Sequence, residues 1–75
     1  MKYKSVKNMI AYCRENYGDF DRYRIENSNK VIGLYYWWEL KDIPETILEL
    51  PVKTASMPSY RDQYGIRGKE LLIFT

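Results

Sequence analysis

Histidine is absent from this sequence, and cysteine occurs once, at position 13. Without histidine the chain lacks the commonest general acid–base group, and Cys13 has no imidazole to activate it as a nucleophile. One thiol cannot close a disulfide within the chain, and it cannot complete a zinc site alone. No cofactor and no metal are therefore expected. Long hydrophobic runs are missing too: the longest apolar stretch, residues 31–38, is far short of the roughly 20 residues a spanning helix needs. Lys2, Lys4 and Lys7 precede no apolar run, so no signal peptide is expected. A lone thiol without a cystine framework fits a reducing compartment, and the expected location is the cytoplasm. Gly65-Ile66-Arg67-Gly68 lacks the Lys-Ser or Lys-Thr ending of a phosphate-binding loop.

What the chain has in quantity is aromatic residues: eight Tyr, two Trp and two Phe in 75 residues. This length makes a single domain, residues 1–75, that buries only roughly 60% of the surface its unfolded form exposes. Dense aromatic packing or self-association is the available compensation, and a homodimer is one expected form. The formal net charge of +2 is unevenly spread. Residues 1–14 carry four basic and no acidic side chains, residues 15–52 four basic and eight acidic, and residues 53–75 four basic and two acidic. The uneven spread is read as chance or as two basic ends meeting on one face. Abundant Lys, Ile, Tyr and Asn suggest AT-rich coding, as in a low-GC bacterium, its phages or its mobile elements.

The spacing of Val6, Met9, Ile10, Cys13 and Tyr17 predicts a helix with Ser5 as N-cap and Gly18 as C-terminal cap. Residues 21–27 alternate as a half-buried strand, 27–29 form a tight polar turn, and 30–40 form a second strand. Its even positions, Ile32, Leu34, Tyr36, Trp38 and Leu40, make a complete apolar face and are assigned to the core. A short helix is expected over 42–50 with Asp42 as N-cap and Pro44 in its first turn. A strand over 52–56, a long loop over 57–68 and a final strand over 69–75 complete the chain. The fold class is α+β: an N-terminal helix packed on a small antiparallel sheet of three to four strands, in the order α-β-β-(α)-β-β.

No residue set carries a reaction. Cys13 lies mid-stripe on the helix and reads as a small buried hydrophobe. Asp19 and Asp21 lack the further oxygen ligands of a calcium loop, and Glu45 and Glu49 read as a charged outer face rather than a carboxylate site. An enzyme is not expected.

Binding residues are easier to nominate. If the even positions of 30–40 are core, Tyr35 and Trp37 lie on the other face, where they are either covered by the 57–68 loop or kept for a partner. In that loop, Tyr60, Arg61, Tyr64 and Arg67 are of the types enriched at interface hot spots. These six residues are the expected partner-binding site. The function expected is non-catalytic protein–protein contact, as in a phage- or mobile-element-encoded inhibitor or modulator of a host factor such as a defence nuclease or a transcription component. Two alternatives stand beside it. One is a single-stranded nucleic-acid binder using Arg22, Arg24, Tyr35 and Trp37 as a stacking and phosphate platform. The other is a homo-oligomeric structural component.

Overall fold

The computed structural model describes residues 5–75; the basic segment containing Lys2 and Lys4 lies outside the described residues. Helix α1 spans Val6–Tyr17 between the caps its sequence implies. The Ser5 hydroxyl accepts the Asn8 N–H at 3.2 Å, and Gly18, at φ 84°, donates its N–H to the Arg14 carbonyl at 3.0 Å. Only glycine takes that φ freely, so the helix stops there. Val6, Met9, Ile10 and Cys13 are buried, whereas Tyr17, at the last helical position, stays half exposed. The buried stripe packs on Phe20, Tyr23, Ile25, Ile43, Leu71 and Ile73. Each such side chain contributes roughly 1.5–3 kcal/mol by leaving water.

Strands β1 (Arg22–Asn27) and β2 (Lys30–Tyr36) form a hairpin whose turn residues, Ser28 and Asn29, take φ of 50° and 66°. Two successive positive φ values make the type I′ turn that matches strand twist. Two steps from the turn the register slips. Glu26 pairs with Val31 but Ile25 pairs with Gly33, so Ile32 has no opposite residue. An unslipped hairpin would set Ile25 against Ile32 and Tyr23 against Leu34, the arrangement that makes even positions core. The bulge moves every later side chain to the other face. Gly33 and Tyr35 therefore lie beside Ile25 and Tyr23 on the helix side, and Leu34 and Tyr36 face away. The assignment of Leu34, Tyr36 and Trp38 to the core is corrected accordingly: Leu34 is 41% and Trp38 56% exposed.

Beyond Tyr36 the chain leaves the sheet. Residues Trp37–Asp42 form a 3₁₀ helix, begun by a Tyr36 N–H to Glu39 Oε1 hydrogen bond of 3.0 Å. Asp42 is spent in this segment, so α2 shrinks to Glu45–Leu48 behind Pro44, which offers no side-chain cap. The backbone of Val6 donates to the Leu50 carbonyl at 2.9 Å, tying this region to α1.

The remaining strands are β3 (Thr54–Ser56), β4 (Ser59–Arg61) and β5 (Arg67–Phe74). The sheet has five strands in the order β2-β1-β5-β3, with β4 also on β5. It is mixed: β1 and β5 run parallel at the centre, and the flanking pairs are antiparallel. The expected wholly antiparallel sheet of three to four strands is corrected in that respect. The helix-then-sheet α+β architecture stands. Strand alternation is the same for either direction, so only the long-range pairing of β1 with β5 decides it.

The loop expected over 57–68 instead contains β4 and the start of β5, joined by a tight turn. β3 and β4 pair with β5 in one continuous register, interrupted at Met57 and Pro58. The Pro58 carbonyl accepts the Glu70 N–H at 2.9 Å, but proline has no N–H to extend the ladder, a role suited to a sheet edge. Between β4 and β5, Asp62 and Ile66 close a three-residue tip with Gly65 at φ 83°.

Cys13 tests the core. It is 4% exposed, its Sγ lies 3.6 Å from Met9 Sδ, and burial raises its pKa above the ordinary thiol value. A disulfide-forming reagent near pH 8 should label the folded protein slowly and the denatured protein at once. Cys13→Ala should cost roughly 1 kcal/mol in denaturant titration. Rapid labelling of the native protein would disprove this packing.

Candidate functional site on the open sheet face

Because α1 and the helical segments after β2 pack on one side of the sheet, the opposite side has no helix over it among the described residues. The even positions of β1, β3, β4 and β5 face this side, joined by Leu34 and Tyr36 of β2. Along its middle runs a row of charges. Arg22 is paired across the parallel strands with Glu70, whose Oε2 lies 2.5 Å from Arg22 Nε and 3.5 Å from Arg24 Nε. Arg24 also reaches Glu26 at 3.4 Å. Burial by itself would lower the Arg22 pKa; the hydrogen bond and charge of Glu70, helped by Tyr36, outweigh it and raise it. Both side chains are well sheltered, Arg22 at 15% and Glu70 at 5% of their full exposure.

The shelter is aromatic. The Tyr60 ring lies over the Arg22 guanidinium, 3.8 Å from its centroid to Cζ. It also crosses Gly68, its cross-strand partner, where an added Cβ would come within 2.5 Å of the ring. Glycine at position 68 is thus what allows Tyr60 to lie flat and cap the charge pair. Tyr36 and Trp38 stack nearby, centroids 5.1 Å apart and planes 8° from parallel. Between this stack and the β4–β5 tip lies a cleft of about 530 Å³, lined by Arg22, Tyr36, Trp38, Arg61, Asp62 and Tyr64. No family model, curated protein or solved structure matches the chain. The face must be read from its own chemistry.

The structure divides the residues nominated from sequence. Tyr60 and Tyr64 belong to the open face or its rim, and Arg61 lines the cleft. Tyr35 does not: it is half-buried on the helix side, folded over Gly33, and packs against the core. Trp37 is 60% exposed but sits beside Phe20, Tyr23 and Leu40, also on the helix side. The bulge is the reason for both. Arg22 and Arg24 share a face with each other but not with Tyr35 and Trp37, and both are engaged by carboxylates. The expected four-residue stacking and phosphate platform is therefore not assembled. Tyr36, Trp38, Leu34 and Glu70 take their place, and the sequence signal for them was Gly33, since a glycine inside a strand marks a bulge or a close approach.

The edges of the sheet are less suited to a partner than its face. β2 carries the bulge and Lys30 along its free edge, and the β3–β4 edge is broken by Pro58. These are devices that discourage strand addition. Among the described residues, no three acidic or thiol side chains cluster as metal ligands.

The charge pair makes a measurable demand on stability. Arg22→Met leaves the buried Glu70 without its hydrogen-bonded partner, with only the longer contact to Arg24, and should cost about 3 kcal/mol. Arg22→Met combined with Glu70→Leu should recover most of that loss, since two apolar groups need no counter-charge. Urea titration of the single and double variants checks it; a double variant as unstable as the single would show the pair does not act as described.

Proposed function

We propose that this chain is a non-catalytic binding protein that docks its open sheet face on another protein in the cytoplasm. The observation that carries the reading is a sheet face without a helix among the described residues, on which Leu34 and Trp38 are exposed beside an internally neutralised row of charges. Exposed apolar side chains beside aromatic and arginine residues are what the centre of a protein interface presents. Neutralisation argues in the same direction. A phosphate backbone gains affinity from free cations, and here Arg22 and Arg24 are already ion-paired with Glu70 and Glu26. Action by occlusion, as in an inhibitor or modulator of a larger factor, needs such a surface and no reacting group.

Trp38 provides the test. Trp38→Ala should weaken partner binding by about 1–4 kcal/mol, as loss of an interface anchor does. An exposed side chain of this kind should affect the stability of the free protein by less than about 1 kcal/mol. Affinity capture from the source cell, with nuclease treatment and with the variant in parallel, reads the outcome. A partner retained equally by wild type and Trp38→Ala, or lost on nuclease treatment, would refute the reading.

A further inference from the structure

The row of charges at the centre of the sheet is balanced, but the β4–β5 hairpin is not. Arg61 and Arg67 are direct cross-strand partners. Backbone hydrogen bonding falls on the pairs either side of them in register, Asp62 with Ile66 at the tip and Glu70 with Pro58 further down. Arg61 and Arg67 therefore occupy a non-hydrogen-bonded site, where facing side chains come closest. Like charges placed so are destabilising, whereas opposite charges would stabilise the hairpin. Lys69 joins the same face two positions along β5, held there by a 2.9 Å bond from its Nζ to the Tyr17 carbonyl at the end of α1.

No carboxylate on the described chain relieves the two arginines. Among the described residues the ion pairs formed are those of Arg14, Arg22 and Arg24. Asp62 is adjacent in sequence, but its Oδ1 accepts the N–H groups of Tyr64 and Ile66, both at 2.9 Å. Arg61, Arg67 and Lys69 are all exposed. The free protein thus holds three cations on one hairpin face, two of them in direct opposition.

We infer that this hairpin face anchors a short acidic segment of the partner protein, with Arg61 and Arg67 as paired carboxylate receptors and Lys69 extending the site. The inference rests on the protein-binding reading and names the chemistry of the partner, whose acidic segment would pass round the β4–β5 tip from the open face to the helix side, where Arg61, Arg67 and Lys69 lie. Charge complementarity selects the occupant. The patch is short and closed at both ends by acids, Asp62 at the tip and Asp21 beside Lys69, where the Asp21 carboxylate accepts the Lys69 N–H at 2.7 Å. A continuous phosphate backbone would run onto these carboxylates. Two or three carboxylates on an extended peptide would not, and arginine forks bind them bidentately.

The test uses the whole chain, isotopically labelled for amide NMR, with hexaglutamate, hexalysine and an eight-nucleotide single-stranded DNA as probes. Hexaglutamate should shift the amides of residues 59–69 with saturation, and its affinity should fall several-fold as salt is raised. Hexalysine should shift none of them. The combined Arg61→Glu and Arg67→Glu variant should bind hexaglutamate at least about tenfold more weakly, and Trp38→Ala should bind it as wild type does. A second measurement needs no ligand: Arg67→Glu alone turns repulsion into attraction and should raise the melting temperature by about 2–4 °C. The inference is overturned if hexaglutamate leaves the hairpin amides unmoved, if the charge-reversed variant binds it equally, if the DNA binds the hairpin more tightly, or if Arg67→Glu lowers the melting temperature. Failure of the open-face reading shows instead in partner capture by Trp38→Ala, which leaves the hexaglutamate result untouched.

Discussion

A strand in a sheet has two faces, and one extra residue exchanges them. Here that residue is Ile32, and the rest of the surface follows from it. Before the bulge the hairpin is held by its turn; after it, Tyr35 goes under α1 and Tyr36 goes out. Gly33 makes the exchange workable, because the space a side chain would fill is taken by the Tyr35 ring. Tyr36 then meets Trp38, Arg22 finds the Tyr36 hydroxyl beside it, and the stack that walls the cleft exists. Without the bulge Tyr36 would face the helix side and Tyr35 the open side, with no change in composition.

The open face also shows how a small sheet manages without a second helical layer. Its central residues are long side chains laid flat rather than short apolar ones: arginines bridged by glutamates, with a tyrosine ring on top. Long stems cover apolar backbone while their ends stay paired. The arrangement shelters Glu70 almost completely on a face that no helix of the described residues covers. It also leaves Leu34 and Trp38 uncovered at the margin, where a partner would meet them.

Much of this was legible in the sequence where local rules decide, and little of it where distant pairing decides. Helix α1, its Ser5 and Gly18 caps, and the Ser28-Asn29 turn depend on neighbours a few residues apart, and they read correctly. The buried state of Cys13 follows from the same stripe. β4 could not be read, because Ser59, Tyr60 and Arg61 have no alternation of their own and are strand only by lying on β5. Asp42 and Pro44 carry helix-start signals, but the chain needs a 3₁₀ segment there to leave the sheet, and that need overrides them. On the candidate site, residue type alone nominated Tyr60, Arg61 and Tyr64, which lie at the open face or its cleft, and Arg67, which lies on the opposite side of β5. Face parity, which the bulge controls, misplaced Tyr35 and Trp37.

The central position of β5 carries a consequence for biosynthesis. It follows the other four strands in the chain and yet lies between them, with β1 and β2 to one side and β3 and β4 to the other. Until residues 67–74 have left the ribosome, the two halves of the sheet share no backbone ladder. Tyr23 and Ile25 then lack the neighbours, Leu71 and Ile73, that flank them in the finished sheet. The nascent chain is therefore a hairpin with a loosely attached helix, carrying apolar surface and an open strand edge, the features that invite misassociation. Closure across a sequence separation of 48, as in the Arg22–Glu70 pair, is the slow kind of contact. Folding waits for the last strand to emerge, and holding chaperones have their window before it does.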